Sequence, residues 1–289
     1  MGHPVAHSLS PKIHQLFARP FNIALNYKTI DAASTALFRQ QMANFFAQHQ
    51  AVGMNVTLPY KTVAYQSIAN QLAADSDLHL SKAANTLWQD TQGNLTGTNT
   101  DGHGLLTDLE QNLGVHMSGR SVLLLGAGGA AAGILPQLIR AHPKSITVVN
   151  RNPLRAEQLV ARFRTLIDAG KNNASKNDGS EYVTSVNSIR LEDCSQAIYD
   201  LIINATSVSL NQDVVPFDKA IVAKALVYDL AYHPERITYF NQWALRHGAR
   251  QVFDGMGMLV EQAAKSFMIW HGVQPDTSRV IALLKKHDR

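Results

Sequence analysis

Short apolar runs along the chain alternate with segments in which apolar residues recur at helical spacing. That alternation predicts an α/β protein with parallel sheets. In the first hundred residues the pattern predicts a helix over 11–18, stopped by Pro20, and a strand near 26–30. A helix follows over 34–48, with Leu37, Phe38, Met42, Phe45 and Phe46 as its apolar stripe. A strand over 52–56, a helix over 60–72 and a hairpin over 83–98 come next, the hairpin turning at Asp90-Thr91-Gln92-Gly93-Asn94. A helix over 102–112 leads into a second unit: strand 121–125, helix 130–141, strand 146–150 and a helix from Asn152-Pro153 to about 169. Pro136 falls inside the second of these helices and is expected to kink it. The polar stretch 170–180 reads as a peripheral surface loop. Strands are expected at 182–186, 201–204, 226–229 and 251–253, and helices over 259–270 and 277–286.

At 289 residues the chain is long enough for two domains. Its single cysteine, Cys194, permits no intramolecular disulfide, which fits a reducing compartment. The first residues lack the basic-then-apolar order of a signal peptide, and the weakly polar run 122–136 is too short and glycine-rich to span a bilayer. A cytoplasmic location with no membrane partner is the expectation. The net charge of +4 is mild, and the one local concentration of arginines is Arg151, Arg155, Arg162 and Arg164. That pattern favours an anionic small molecule over nucleic acid. A homodimer is left open.

Gly126-Ala127-Gly128-Gly129-Ala130-Ala131 follows an apolar strand and opens a helix, the setting in which G-x-G-x-x-A signals a dinucleotide. Gly126 allows the tight turn, Gly128 lets a pyrophosphate approach the backbone, and Ala131 permits close helix–strand packing. The phosphates would rest on the helix N-terminus. At the end of the next strand an acidic residue would select NAD, but the sequence there reads Asn150-Arg151-Asn152, with Arg155 one turn later. Two guanidiniums suit a 2′-phosphate, so NADP(H) is the expected cofactor.

Ser8-Leu9-Ser10-Pro11 reads as a helix start, either a cap alone or two hydroxyls cradling a carboxylate. His3, His7 and His14 raise a metal, but Pro4 spoils helical spacing and no carboxylate or thiol adjoins them, so no metal is expected. Three further segments stand out: Asn55-Val56-Thr57-Leu58-Pro59-Tyr60-Lys61, Ala84-Asn85-Thr86 and Asn99-Thr100-Asp101-Gly102. Together with the serines, the glycine turn, Asn150-Arg151, Asn204-Ala205-Thr206-Ser207 and Asp254-Gly255-Met256-Gly257-Met258-Leu259, they closely resemble the shikimate dehydrogenase family, in its order and over nearly the whole chain.

The resemblance implies an N-terminal α/β substrate domain, residues 1–101 completed by 256–289, and a Rossmann-like NADP-binding domain over 102–255. It implies reversible reduction of 3-dehydroshikimate to shikimate in aromatic amino-acid biosynthesis. Lys61 and Asp101 look like the catalytic pair. Ser8, Ser10 and Thr57 resemble carboxylate-binding hydroxyls, while Asn85, Asp101 and Gln262 resemble groups that hold the ring hydroxyls. Tyr232 stands where the family places a substrate-side tyrosine, and Asn204, Thr206, Leu230 and Gly255 line the nicotinamide end. Hydride addition to a carbonyl builds charge on oxygen, and a lysine can protonate or stabilise it. The bland alternatives are a surface lysine and an aspartate that caps the helix after it.

Three departures accompany the resemblance. Family members usually have an apolar strand before the Gly-x-Pro that stands here as Gly2-His3-Pro4, and a misassigned start is favoured over a first sheet lacking that strand. Val208-Ser209-Leu210 occupies a stretch where a glycine is common, so the cofactor-side loop should differ in shape. The 170–180 insertion is the third. Rival readings are a quinate/shikimate dehydrogenase using either nicotinamide cofactor, and a non-catalytic NADP-sensing module.

Overall fold

In a computed structural model the chain is described over residues 1–48, 51–73, 76–174, 184–213 and 216–285. The first part runs α1 (Ser10–Ala18), α2 (Thr35–Phe46), β1 (Met54–Asn55), α3 (Lys61–Ile68), α4 (Asp77–Ser81), β2 (Thr86–Gln89), β3 (Leu95–Thr98) and α5 (Asp101–Thr107). The second runs β4 (Ser121–Leu125), α6 (Gly129–Arg140), β5 (Ser145–Val149), α7 (Pro153–Arg162), α8 (Arg164–Ala174), β6 (Ser185–Ile189) and β7 (Leu201–Asn204). It continues with α9 (Val208–Asn211), β8 (Leu226–Asp229), α10 (Tyr239–Arg246) and β9 (Gln251–Asp254), and the chain closes with α11 (Met256–His271) and α12 (Thr277–Lys285).

Two sheets organise these elements. β1, β2 and β3 form a small antiparallel sheet, and six parallel strands form the other in the order β6-β5-β4-β7-β8-β9. The larger order is doubly wound, reversing direction between β4 and β7, as in a Rossmann fold. Its four inner strands, β5, β4, β7 and β8, are buried on both faces, alternate residues pointing to opposite sides, while the edge strands β6 and β9 are not. Val122, Leu124, Leu201 and Ile203 enter the core under α5, α6 and α7; Leu123, Leu125, Ile202 and Val227 enter the other, with Phe240 and Ala244 of α10. A third core joins Phe38, Met42 and Phe46 of α2 to Ala64, Ile68 and Leu87. The fourth joins Ile13 and Phe17 of α1 to Val260, Phe267, Val280 and Leu284 of α11 and α12. The molecule is thus a two-domain α/β protein, an N-terminal part beside a Rossmann-like part.

Several expectations need correction. No strand forms over 26–30: the only pairing there is a parallel bridge between Gly2 and Asp31, too short to build a ladder. The helix after Asn152 breaks at Phe163, whose φ of −96° and ψ of 7° leave helical geometry while its ring is fully buried. Tertiary burial outweighs helix continuity at that point. Helix α8 then runs on to Ala174, through the first part of the expected 170–180 loop; the rest of that loop lies outside the described residues. Of the strand expected at 182–186, residues 182–183 lie outside the described residues; the described strand is Ser185–Ile189, in register with β5. Pro136 lies inside α6, as expected, and is buried. The helix over 102–112 ends in a π-helical turn, Asp108–Asn112. Helices α4 and α10 were not expected; each is announced by a side-chain cap, Ser76 to the Leu78 amide and Thr238 to the Asn241 amide.

Candidate active site

Lys61 opens α3 and Asp101 opens α5. The Lys61 ammonium meets Asp101 Oδ2 at 2.5 Å, with side chains 19% and 7% exposed. Thr100 occupies the N-cap position of α5, so Asp101 lies in the first helical turn, where the dipole favours its charge. The other oxygen, Oδ1, accepts from Asn85 Nδ2 at 2.9 Å, and Asn99 Oδ1 holds the Asp101 amide at 2.9 Å. Asn85 Nδ2 also lies 3.2 Å from Gln262 Oε1, which brings α11 to the same point. Lys61, Asn85, Asp101 and Gln262 therefore converge from α3, the residue before β2, α5 and α11.

A chain of polar contacts leads from this cluster to the serines. Thr86 Oγ1 donates to Asn85 Oδ1 at 2.9 Å and lies 2.8 Å from Ser266 Oγ, which accepts from Asn55 Nδ2 at 3.0 Å. Asn55 Oδ1 accepts from the Tyr27 hydroxyl at 2.9 Å, and that phenol also interacts with Ser10. Ser8 Oγ accepts from the Ser10 amide at 3.3 Å, tightening the turn before α1. Ser8 and Ser10 are half-buried and Thr57 is exposed, so the three hydroxyls remain accessible. Thr57, Asn55 and Lys61 belong to one strand–turn–helix segment, which is why a short motif carries all three.

At the glycine turn after β4, Gly126 has φ of +105°, and an added Cβ would stand 3.0 Å from the Ala205 carbonyl; only glycine fits without strain. Around Gly128 and Gly129 nothing lies within 4 Å of an added Cβ, and α6 has no side-chain cap. The turn is therefore an open cradle with free amides, which suits a pyrophosphate. Ala127 is half-buried and Ala130 sits in the first turn of α6. Arg151 and Arg155 are exposed beyond β5, free to meet a phosphate. Asn152 is spent locally, its Oδ1 capping the Leu154 amide at 3.1 Å and its carbonyl holding Asn150 Nδ2 at 2.9 Å.

On the other side of the switch point, Asn204 is fully buried, and its side chain is committed to Asp229 Oδ1 at 3.0 Å and to Thr206 Oγ1 at 2.6 Å. It supports its turn from within. An added Cβ on Gly255 would collide with the Leu230 carbonyl, and the Gly255 amide donates to Ala231 at 3.0 Å. Tyr232 leaves β8 and packs against the core made by α1 and α11, so a residue following the larger sheet reaches the N-terminal side. Burial raises its phenol above the ordinary value.

Sequence reasoning missed Asp229, although it gathers four donors; a single acid at a strand end gave no signal. It also passed over Tyr27 and Ser266, which both meet Asn55 from far away in sequence. The histidines disperse: His3 Nδ1 meets Asp31 at 2.5 Å, and His14 stacks between Tyr27 and Trp270. Among the described residues no group of three His, Cys, Asp or Glu converges as a metal site would require, and no helix is long and apolar enough to cross a membrane.

Family models match three stretches: the shikimate dehydrogenase substrate binding domain at residues 1–87, shikimate / quinate 5-dehydrogenase at 108–178, and the shikimate 5′-dehydrogenase C-terminal domain at 255–285. Among relatives, shikimate dehydrogenase (NADP(+)) of Marinobacter nauticus is 40% identical over 290 residues, covering 99% of this chain and 96% of that protein. The same-named protein of Nitrosococcus oceani is 39% identical, covering 99% and 94%. Among solved structures, an Ael1 enzyme from Pseudomonas putida superposes with a TM-score of 0.81 at 37% identity, over 98% of this chain and 96% of that one. Shikimate 5-dehydrogenase from Thermus thermophilus, in complex with NADP(H) and shikimate, gives 0.78 at 28% identity over 99% and 97%. With coverage this complete at this identity, the chain belongs to the shikimate dehydrogenase family.

Proposed function

We propose that this protein catalyses the reversible, NADPH-dependent reduction of 3-dehydroshikimate to shikimate, a step in aromatic amino-acid biosynthesis. The observation that carries the reading is the Lys61–Asp101 pair, braced by Asn85, which in turn meets Gln262; Ser8 and Ser10, half-buried, and Thr57, exposed, offer accessible hydroxyls. In this reading residues 1–101 and 256–289 hold substrate and 102–255 hold the cofactor. Bound at Gly126–Ala130, with its 2′-phosphate on Arg151 and Arg155, NADPH would supply the hydride.

The protein's own groups do the rest. Ser8, Ser10 and Thr57 receive the substrate carboxylate, with Tyr232 closing that end. Asn85, Asp101 and Gln262 hold ring hydroxyls. Lys61 places positive charge at the carbonyl oxygen, where negative charge develops, and Asp101 fixes the ammonium there. Proton donation and electrostatic stabilisation both require that same placement. The half-buried setting keeps water from screening the charge. Asn204 and Asp229 hold the nicotinamide-side turn, while Leu230 and Gly255 wall it. A single unpaired cysteine, Cys194, suits work in the cytoplasm.

Following NADPH absorbance with shikimate and NADP+ tests the activity. Turnover with shikimate and NADP+ is expected. Equal efficiency with quinate or NAD would shift the reading to a quinate/shikimate dehydrogenase, and tight NADP+ binding without turnover would sink it.

A further inference from the structure

Resting on the cofactor assignment above, we propose that Ser209 is a positioning residue for the nicotinamide half of the cofactor, acting through Asp229. Ser209 lies in the short helix α9, just after the turn that follows β7. Its hydroxyl donates to Asp229 Oδ2 and accepts from the Phe240 amide at 3.0 Å, so donor and acceptor are both used. Thr238 Oγ1 donates to the same Oδ2 at 2.6 Å. The other oxygen accepts from Asn204 Nδ2 at 3.0 Å and from the Ala231 amide at 3.1 Å.

One fully buried carboxylate thus fastens three pieces of chain at the C-terminal edge of the larger sheet. These are the 204–209 turn, the 230–232 turn that carries Tyr232, and the start of α10. Burial pushes the Asp229 carboxyl above its ordinary value and the four donors oppose that, so each donor matters to the state of the group.

The location follows from topology. A dinucleotide crosses such a sheet at the switch point, here between β4 and β7. The glycine turn after β4 fixes the pyrophosphate, and the arginines after β5 fix the phosphorylated ribose on one side. The nicotinamide must extend the other way, over β7 and β8, where the turns tied by Asp229 stand. Without the Ser209 hydroxyl the Phe240 amide loses its partner and the 204–209 turn loses one of its two ties to Asp229; Asn204 remains. The turn should then sample other positions while the sheet stays intact.

Ser209→Ala tests this, with Ser209→Thr as a variant that retains the hydroxyl. Calorimetry compares two ligands: NADP+, and adenosine 2′,5′-bisphosphate, which carries the phosphorylated ribose but no nicotinamide. Ser209→Ala should weaken NADP+ about 5-fold, the loss of one ordinary hydrogen bond, and leave the bisphosphate unchanged. KM for NADPH should rise while kcat changes less than about 2-fold, and Ser209→Thr should restore most of the NADP+ affinity. Equal weakening of both ligands, or unchanged NADP+ affinity with a lowered Tm, would overturn the proposal. Wild-type protein that binds neither ligand would instead remove the cofactor assignment, and this inference with it.

Discussion

Lys61 Nζ and Asp101 Oδ2 stand 2.5 Å apart although forty positions separate them in the chain. Each begins a helix, so the pair joins the two helix starts directly. Removing the lysine leaves Asp101 still held by Asn85, so the local fold should persist. Lys61→Ala is expected to reduce kcat by about 10²–10³-fold, the usual loss when a donor to a developing oxyanion is removed. NADP+ affinity and Tm should stay near wild type. Retention of most of the wild-type rate would take Lys61 out of the mechanism.

Arg151 and Arg155 flank the end of β5 and are exposed. A charge-assisted hydrogen bond is worth about 1.5–3 kcal/mol. Arg151→Ala should therefore raise KM for NADPH by about 10–100-fold and leave KM for NADH unaltered. Parallel changes with both cofactors would place the 2′-phosphate elsewhere.

His14 predicts an acid sensitivity. Its ring is buried among Phe17, Tyr27, Phe267 and Trp270, and neither nitrogen reaches hydrogen-bonding geometry, although the Asn55 side chain lies nearby. Burial, then the charge of neighbouring His271, push it from 6.5 down to about 3, and Asn55 opposes this weakly. A histidine depressed in the folded state takes up a proton on unfolding, so stability is lost as pH falls from about 6.5 towards 3. Between pH 7 and pH 5 the loss should reach about 2 kcal/mol. His14→Phe should flatten most of that slope in urea unfolding; His271, also depressed by burial, supplies a remainder of the same sign. An unchanged slope would assign the sensitivity to other groups.

Tyr228, fully buried on β8, donates to Asp108 Oδ2 at 2.6 Å in the π-helical turn after α5. Asp108 Oδ1 accepts from Asn112 at 3.0 Å, and an added Cβ on Gly257 would collide with this carboxylate. Tyr228→Phe should cost about 1–3 kcal/mol in urea unfolding, because a buried acceptor is left short of a donor. NADP+ affinity should not move. A cost below about 0.5 kcal/mol, the range of ordinary surface changes, would show the contact to be dispensable.

What was legible in the sequence follows from how far each signal reaches. Strands such as Ser121–Leu125 were legible because burial on both faces makes them continuously apolar, and the glycine turn beside them reads locally. The strand expected near 26–30 was not, because a strand exists only with a partner, and the segment makes a single bridge. Tyr239–Arg246 mixes apolar and polar residues over two turns, and its Thr238 cap was the one clue available. In the site, Lys61 and Asp101 came from family motifs, whereas Asp229 draws side-chain donors from Asn204, Ser209 and Thr238, 25, 20 and 9 positions away. No local pattern encodes that convergence.

The core shared by α1, α11 and α12 sets an order of events during synthesis. Ile13 and Phe17 leave the ribosome well before their partners Val260, Phe267, Val280 and Leu284, which follow more than two hundred residues later. At about 5–20 residues per second, α1 waits tens of seconds for them. The Rossmann sheet, contiguous in sequence, can close in that interval, whereas the apolar face of α1 stays uncovered throughout. During that wait the nascent chain is exposed to aggregation through α1.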